Sequence, residues 1–427
     1  MSDIRFEGWL HKTGTGGVYQ DAAGNVGIAS TQPKTNLDIG NGGFQVGPAG
    51  ICTVTTVNTT NLINATQLSN RNLIINGAMQ VAQRGSLTGE GFSVDRMRSE
   101  INGTDESPVS TQGTVASGTT PYSLGFRNTW KIQNGNQTGG AGGSDRITFQ
   151  YRFEAQDIAN SGWNYTSSSS YVTLSFWVKS SVAQNFYGLF QTNDGTVQNY
   201  PFETGSLTAD TWTKVTKTIP GNSNLTFDND NGEGIKFEVN MLRGTNFTNN
   251  SVTLNQWAAY AGGTRTPDQT TTWYTTNDAT FEITGVQLEV GSAATPFEHR
   301  SYADQLVRCQ RYYQIVSRSS SSNSVNGTFA AGTGNDNASS GGILQVMVRF
   351  QTTMRAAPTM TQSGTFSHHV SGVNVADTTV AFSDSFIDGV KITSTQTAFV
   401  HTDGFCGELT SKYSDTSTAS IMANAEF

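Results

Sequence analysis

The stretch Tyr171–Ser180, YVTLSFWVKS, decides the fold. Val172, Leu174, Phe176 and Val178 fall on one side of it, and Thr173, Ser175, Trp177 and Lys179 on the other, which is the two-residue period of a strand that buries a single face. Such a strand belongs to a sandwich and offers a tryptophan on its open side. Runs of the same character lie around it: RITFQYRFEAQ (Arg146–Gln156), QNFYGLFQT (Gln184–Thr192), TWTKVTKTIP (Thr211–Pro220), GIKFEVNMLRG (Gly234–Gly244) and ATFEITGVQLEVG (Ala279–Gly291). Turn-forming clusters separate them. Many short strands with almost no helical periodicity predict an all-β jelly-roll β-sandwich over residues 72–300.

Composition agrees with that reading. Charged residues make up 14% of the 427, against roughly 25% in an ordinary soluble protein. The 46 glycines are about 11% of the chain, where 7% is usual. Polar surface must therefore come mainly from Ser, Thr, Asn and Gln. Seven Trp, 13 Tyr and 23 Phe stand beside many β-branched residues and only nine Pro, a mixture suited to pleated sheets. A net charge of −8 and a pI near 5.1 leave no basic footprint for nucleic acid and no attraction to anionic lipid. No stretch approaches the roughly 18 apolar residues of a membrane span, and MSDIRFEGWL does not read as a secretion signal. Membrane insertion is therefore not expected. Cys52, Cys309 and Cys406 are odd in number and widely spaced, which points to free thiols rather than a disulfide framework or a zinc site.

Outside the sandwich the pattern changes three times. Residues 1–71 are Gly-rich with short β-prone runs, too poor in large apolar side chains to bury themselves, and read as an extended arm that needs partners. Residues 301–317 contain SYADQLVRCQRYYQI, which sets Tyr302, Leu306, Cys309 and Tyr313 at helical steps, with Ser301 as the cap and Asp304 in the first turn. This predicts one short helix as a connector. Ser319–Gly342 reads as a Ser/Asn/Gly loop opening the region 318–427, whose strands predict a smaller C-terminal β-sandwich.

At NLIINGAMQVAQRG (Asn72–Gly85), followed by FSVDRM (Phe92–Met97), the chain resembles a module of tail-fibre and other particle proteins of tailed bacteriophages, marine and cyanobacterial ones above all. In that family an opening N-L-I-x-N-G strand begins a carbohydrate-binding-like jelly roll. A closing V-Q-L-E-x-G strand, a P-F-E turn and an S-Y-x-x-x-L-x-R-C-Q-R-Y-Y helix follow, matched here by GVQLEVG (Gly285–Gly291), Pro296–Glu298 and Ser301–Tyr313. Asn25–Ile39 is similar to an element near the start of many phage fibres, with Ala29 and Ser30 where Gly and Thr are usual. Phe350–Met360 and MANAEF resemble the tip domain that ends them. The resemblance implies a virion structural protein assembled in the host cytoplasm, a homotrimer bound to phage tail or capsid proteins through residues 1–71, with host surface glycan as the ligand. A head or neck decoration fibre, serving capsid assembly or stability, is the alternative. A polysaccharide depolymerase is a third reading.

Candidate sites are few. Exposed aromatics stack on sugar rings, and among Trp163, Tyr165, Trp177, Trp257, Tyr260, Trp273 and Tyr274 the polar, Gly-rich surroundings favour Trp257, Tyr260, Trp273 and Tyr274 for glycan binding. Asp228 and Asp230 in FDNDNGEG begin a D-x-D-x-G spacing suited to Ca²⁺, but Glu233 replaces the Gly and Val239 the Glu of a full loop, so an Asn/Asp/Gly surface turn is the stronger reading. Relatives of the module hold a structural Ca²⁺ elsewhere in the jelly roll, and no other cofactor is expected. His368 and His369 read as loop histidines, as do His11, His299 and His401. No nucleophile elbow or other catalytic motif stands in the sequence, so no catalytic residue is assigned and the chain reads as non-enzymatic.

Overall fold

The structure is a computed structural model that describes residues 8–10, 17–28, 37–39, 44–46, 52–54, 70–318, 328–337, 341–370, 373–376, 379–396, 406–411 and 419–427. Its contacts divide it into two compact units, Met1–Leu68 and Ser69–Phe427. The first carries six short strands, β1 (Gly8–Leu10), β2 (Gly17–Gln20), β3 (Val26–Ile28), β4 (Leu37–Ile39), β5 (Phe44–Val46) and β6 (Cys52–Val54), which follow one another across a single sheet. Among the described residues only β3 and β4 run parallel.

The second unit opens with the expected sandwich. Its strands are β7 (Leu87–Thr88), β8 (Gly91–Val94), β9 (Met97–Asn102), β10 (Val109–Thr114), β11 (Asn128–Gln133), β12 (Arg146–Glu154), β13 (Tyr171–Ser180), β14 (Asn185–Thr192), β15 (Gln198–Ser206), β16 (Thr213–Pro220), β17 (Glu233–Arg243), β18 (Ala258–Ala259) and β19 (Thr280–Val290). Three helical turns, α1 (Thr120–Ser123), α2 (Ala155–Ala159) and α3 (Thr272–Thr275), lie between strands. One sheet has the order β16-β13-β19-β11-β10-β7 and the other β18-β15-β14-β17-β12-β9-β8. Every pairing in the two is antiparallel. The alternation read from Tyr171–Ser180 holds: Val172, Leu174, Phe176 and Val178 are buried between the sheets. Phe237 of β17 is the hub, with ring centroids of Phe149, Phe176, Phe190 and Phe202 within 5.4–6.1 Å. Aromatic pairs at such spacings add about 0.5–1.5 kcal/mol beyond area burial.

Asn72–Gly85, expected as the opening strand, is instead an irregular, tightly bonded turn that lies along β19. The Asn72 side chain takes the place of a strand's own backbone groups: Nδ2 donates to Val286 O (3.0 Å), and Oδ1 accepts from Leu288 N (3.1 Å) and Ile74 N (3.0 Å). Gly77 accepts from Val286 N (2.9 Å), and a Cβ there would come within 2.1 Å of Val286 O. Asn76, at φ +62, binds Val81 and the Asp95 carbonyl through its amide. Asn tolerates that left-handed backbone better than most residues.

α4 (Tyr302–Gln310) begins where expected, with Ser301 Oγ accepting from Asp304 N at 3.2 Å. Its inward face differs from the expected stripe. Tyr302 is exposed, Leu306 half-buried and Tyr313 already in a strand; Gln305, Cys309 and Gln310 are buried. Its buried amides bond to neighbouring segments: Gln305 Oε1 accepts from Asn76 N at 2.9 Å, and Gln310 Nε2 donates to Gln351 Oε1 at 2.6 Å. Burial pushes the Cys309 thiol well above its ordinary pKa.

Beyond the helix come β20 (Tyr313–Arg318), β21 (Thr328–Asn337), β22 (Gly341–Arg349), β23 (Thr359–Ser363), β24 (Phe366–Val370), β25 (Val373–Ala376), β26 (Thr379–Phe386), β27 (Gly389–Gln396), β28 (Cys406–Ser411) and β29 (Ser420–Asn424). They form a three-stranded sheet, β20-β29-β23, and a seven-stranded one, β25-β24-β28-β21-β22-β27-β26, around Leu344, Phe366, Val390, Ile392, Leu409 and Ile421. The expected loop Ser319–Gly342 is overturned at β21. Its Gly- and Asn-rich sequence is poor strand material, but it is flanked on both sides by β22 and β28, and such context overrides propensity. Residues 319–327 and 338–340 lie outside the described residues, as do His11 and His401.

The jelly roll and this region share one buried polar junction. Arg96, 2% exposed, pairs with Glu426, donates to Arg152 O (2.5 Å) and lies 3.4 Å over the Tyr312 ring. Arg84 reaches the other Glu426 oxygen at 3.3 Å, and Arg311 grips Glu154 with two bonds of 2.7 Å while Tyr312 Oη donates to the same carboxylate at 2.5 Å. Burial alone would lower the Arg96 pKa, but Glu426 and the two tyrosines beside it raise it. Removing one partner of a buried pair leaves an uncompensated charge and costs about 3–5 kcal/mol. Glu426→Ala should lower the unfolding free energy of the second unit, read from denaturant titration, by that amount; a loss under about 1 kcal/mol would mean that the junction is solvated.

Candidate functional site

Strand parity turns the remaining residues of β12, β14, β15 and β17 away from the core. The register aligns them in three cross-strand rows: Asn199, Gln191, Lys236 and Arg152; Pro201, Leu189, Glu238 and Gln150; Glu203, Tyr187, Asn240 and Thr148. Arg98 and Glu100 of β9 extend the second and third rows. At the centre Glu238, fully buried, receives Lys236 Nζ (2.9 Å), Gln150 Nε2 (2.8 Å) and Arg243 Nη2 (2.6 Å). Burial alone would raise its carboxyl, but Lys236 and Arg243 outweigh burial and hold it down to about 2. Arg243 reaches across because Met241 is bulged out of register between Leu242 and Asn240. Around this pivot Arg152 Nε donates to Gln150 Oε1 (2.7 Å) and Arg146 Nε to Glu100 (2.9 Å).

The opposite end of the same face is unfinished. Asn199 is 2% exposed, yet neither atom of its amide has a partner among the described residues; Gln191 Oε1, its cross-strand neighbour, also has none. Leaving a buried polar group unsatisfied costs about 1–3 kcal/mol. Tyr187, half-buried, stands two rows over on the same strand, beyond Leu189. Paired donors and acceptors in fixed rows beside an aromatic ring suit a polyhydroxylated ligand, whose hydroxyls both donate and accept.

The other sheet carries a groove of about 400 Å³ on its outer face, lined by Ser175, Trp177, Lys214, Phe126, Phe297 and His299 among others. It exists because β19 bulges: Ser175 pairs with Gln287 but Trp177 with Thr284, and the extra residue is absorbed at Gly285, whose φ is +63. A glycine in the left-handed region is what such a bulge requires, and bulges re-aim the side chains beside them. His299 Nε2 lies 2.8 Å from Leu124 O and fixes one wall.

The sequence candidates separate on burial. Trp273 and Tyr274 are core residues, 0% and 1% exposed, so neither is available to stack on a sugar. α3 inserts them into the end of the sandwich, where Trp273 Nε1 donates to Thr280 O (3.1 Å), because large rings gain most by leaving water. Trp257 is half-buried, packed 5.2 Å from Tyr200 with its Nε1 donating to Pro220 O (2.7 Å). Tyr260 is exposed and accepts from Arg265 (2.7 Å); it follows β18 at the edge of the polar face. Asp230 Oδ1 accepts from Gly232 N (2.8 Å) and Asp194 Oδ2 from Asp228 N (3.0 Å), the bonds of a surface turn. Burial, with Asp228 and Asp230 close by, raises the Asp194 carboxyl, and no group of three His, Cys, Asp or Glu side chains able to hold a metal occurs among the described residues. Tyr187, Gln191 and Asn199 went unnoticed in the sequence. The signal was the alternation in QNFYGLFQT, whose outward set is Tyr187, Leu189 and Gln191.

No protein-family model matches the chain. No curated protein matches it significantly either. Solved structures that align with part of the chain include the bacteriophage CBA120 tailspike protein 4 enzymatically active domain (10% identity, TM-score 0.27), which aligns with 52% of this chain over 21% of its own length, so the chain spans about a fifth of that domain. A putative sugar binding protein from Bacteroides thetaiotaomicron (13% identity, TM-score 0.27) aligns over 52% of this chain and its whole length. The N-terminal CBM22-1–CBM22-2 tandem domain of Paenibacillus barcinonensis Xyn10C (8% identity, TM-score 0.25) aligns over 85% of this chain and its whole length. At these TM-scores the likenesses assign neither a family nor a function to this chain.

Proposed function

We propose that this chain is a non-enzymatic glycan-adhesive component of a tailed-bacteriophage particle, a homotrimeric tail fibre or receptor-binding protein held by tail or capsid proteins through residues 1–71. The observation that carries adhesion is the outward set of β14, where the half-buried Tyr187 ring and Gln191 amide stand two rows apart on the polar face of the β17-containing sheet. A glycan lying along that face would stack on Tyr187 and bond the half-buried Gln191 amide. The virion assignment rests on the sequence resemblance at Asn72–Gly85, Gly285–Gly291 and Ser301–Tyr313. A depolymerase acting at this face is disfavoured because Glu238, its buried acid, is held ionised, whereas a glycosidic general acid needs a raised pKa.

A glycan array and host-cell adsorption with the full-length chain test the reading. Binding should fall roughly tenfold in Tyr187→Ala and in Gln191→Ala, the loss of about 1.4 kcal/mol for one ring or one hydrogen-bonded amide. A blank array at high protein concentration would sink the adhesive role, and a monomer mass in light scattering would remove the trimer. Glu238 also predicts a pH dependence. Its folded pKa near 2 lies below an unfolded value of about 4.3, so its stabilisation is complete above about pH 4.5 and is lost as pH falls towards 2, at roughly 3 kcal/mol in all. Glu238→Gln should flatten that limb of the stability profile; an unchanged slope would show that Glu238 is not responsible.

A further inference from the structure

The groove over Trp177 lies on the opposite sheet from the polar face, and its chemistry differs. Trp177 and Lys214 are direct cross-strand partners, so an indole and an ammonium rise side by side from β13 and β16. Behind them Gly285 forms a floor that no other residue would leave open, since a Cβ there would come within 2.6 Å of the Phe126 ring. Phe297 and His299, with ring centroids 4.9 Å apart, make the far wall. The volume of about 400 Å³ falls within the range of small-molecule sites, roughly 300–1,000 Å³.

Charge is the second observation. No carboxylate lines this groove, in a chain whose net charge is −8. The acids nearest in sequence and register are engaged elsewhere: Glu289 accepts from Thr295 Oγ1 (2.6 Å) and Gln287 (2.9 Å), Glu298 from Asn72 N (2.8 Å) and Arg300 (3.1 Å), and Glu282 pairs with Lys179 (2.9 Å). Lys214 has no ion-pair partner among the described residues, and it is exposed. A cation beside an aromatic floor, on an otherwise acidic molecule, selects a ligand that is anionic at one edge and apolar on one face.

We propose that this groove is a second carbohydrate site, specific for a carboxylated sugar of the uronic acid class. The pyranose face lies on the Trp177 indole, and the carboxylate meets Lys214. This deepens the glycan-binding reading but uses other residues, so the two can fail separately.

The test uses the full-length chain with three probes: an oligogalacturonate, its methyl ester and a neutral galactose oligomer of the same length, read by calorimetry and by tryptophan fluorescence at low salt. The acid should bind roughly fivefold or more tightly than its ester, an advantage erased by Lys214→Gln. Trp177→Ala should weaken the acid at least tenfold, and Trp177→Phe should restore most of the loss. Matching near-ultraviolet circular dichroism and unfolding midpoints establish that the variants fold; since Lys214 is exposed, its substitution keeps the question answerable even if Trp177→Ala unfolds. Equal affinity for acid and ester, an acid affinity lowered by Tyr187→Ala but not by Lys214→Gln, or no binding of the acid at millimolar concentration would each overturn the proposal. Array glycans bound through Tyr187 with no acid binding refute this groove alone. Acid binding at Trp177 with a blank array refutes the polar face alone.

Discussion

The constraint on which the sandwich depends is the packing of rings from both sheets around Phe237. Once that side chain faces inward, the two-residue period leaves no freedom: Lys236, Glu238 and Asn240 must face outward, as must the residues that pair with them on β12 and β14. A one-residue slip of β17 would bury Lys236 and Glu238 in an apolar core and expose Phe237. The penalty for unpaired buried charge makes that alternative inaccessible. Both outer faces of the jelly roll are thus by-products of one aromatic cluster, and what they present is set by residues that the core does not need.

Much of the architecture was legible for the same reason. Alternation marks a strand wherever one face is apolar, and the Ser301 cap with Asp304 marks a helix start through a single side-chain bond. Legibility failed where a side chain does the work of backbone. Asn72 mimics a strand partner and Asn76 holds a left-handed turn, so NLIIN reads as a strand although its bonds run through amides. The inward face of α4 was misread because Gln305 and Gln310, polar by composition, sit where apolar residues are expected. β21 was misread because its neighbours, far away in sequence, impose its conformation.

The site was less legible than the fold. An aromatic residue in a Gly-rich loop is as good a core plug as a sugar platform, and only burial separates them; Trp273 and Tyr274 fell on the core side and Tyr260 on the surface. Tyr187 and Gln191 sit within a strand, where the eye counts the apolar set and passes over its complement. The Gly285 bulge is visible in GVQLEVG only as a glycine in a strand, yet it sets the position of the Trp177 groove.

The Arg96–Glu426 pair spans 330 residues. A ribosome therefore releases the jelly roll with a guanidinium that must either stay hydrated or stay unpaired until the segment around β29 has been made. Strands separated so widely form contacts late and slowly, and a waiting intermediate exposes surface to other chains. Synthesis of this protein thus has a built-in interval in which its best-packed region is complete in outline but not yet closed, and where binding by a chaperone or by a sister chain would have its greatest effect.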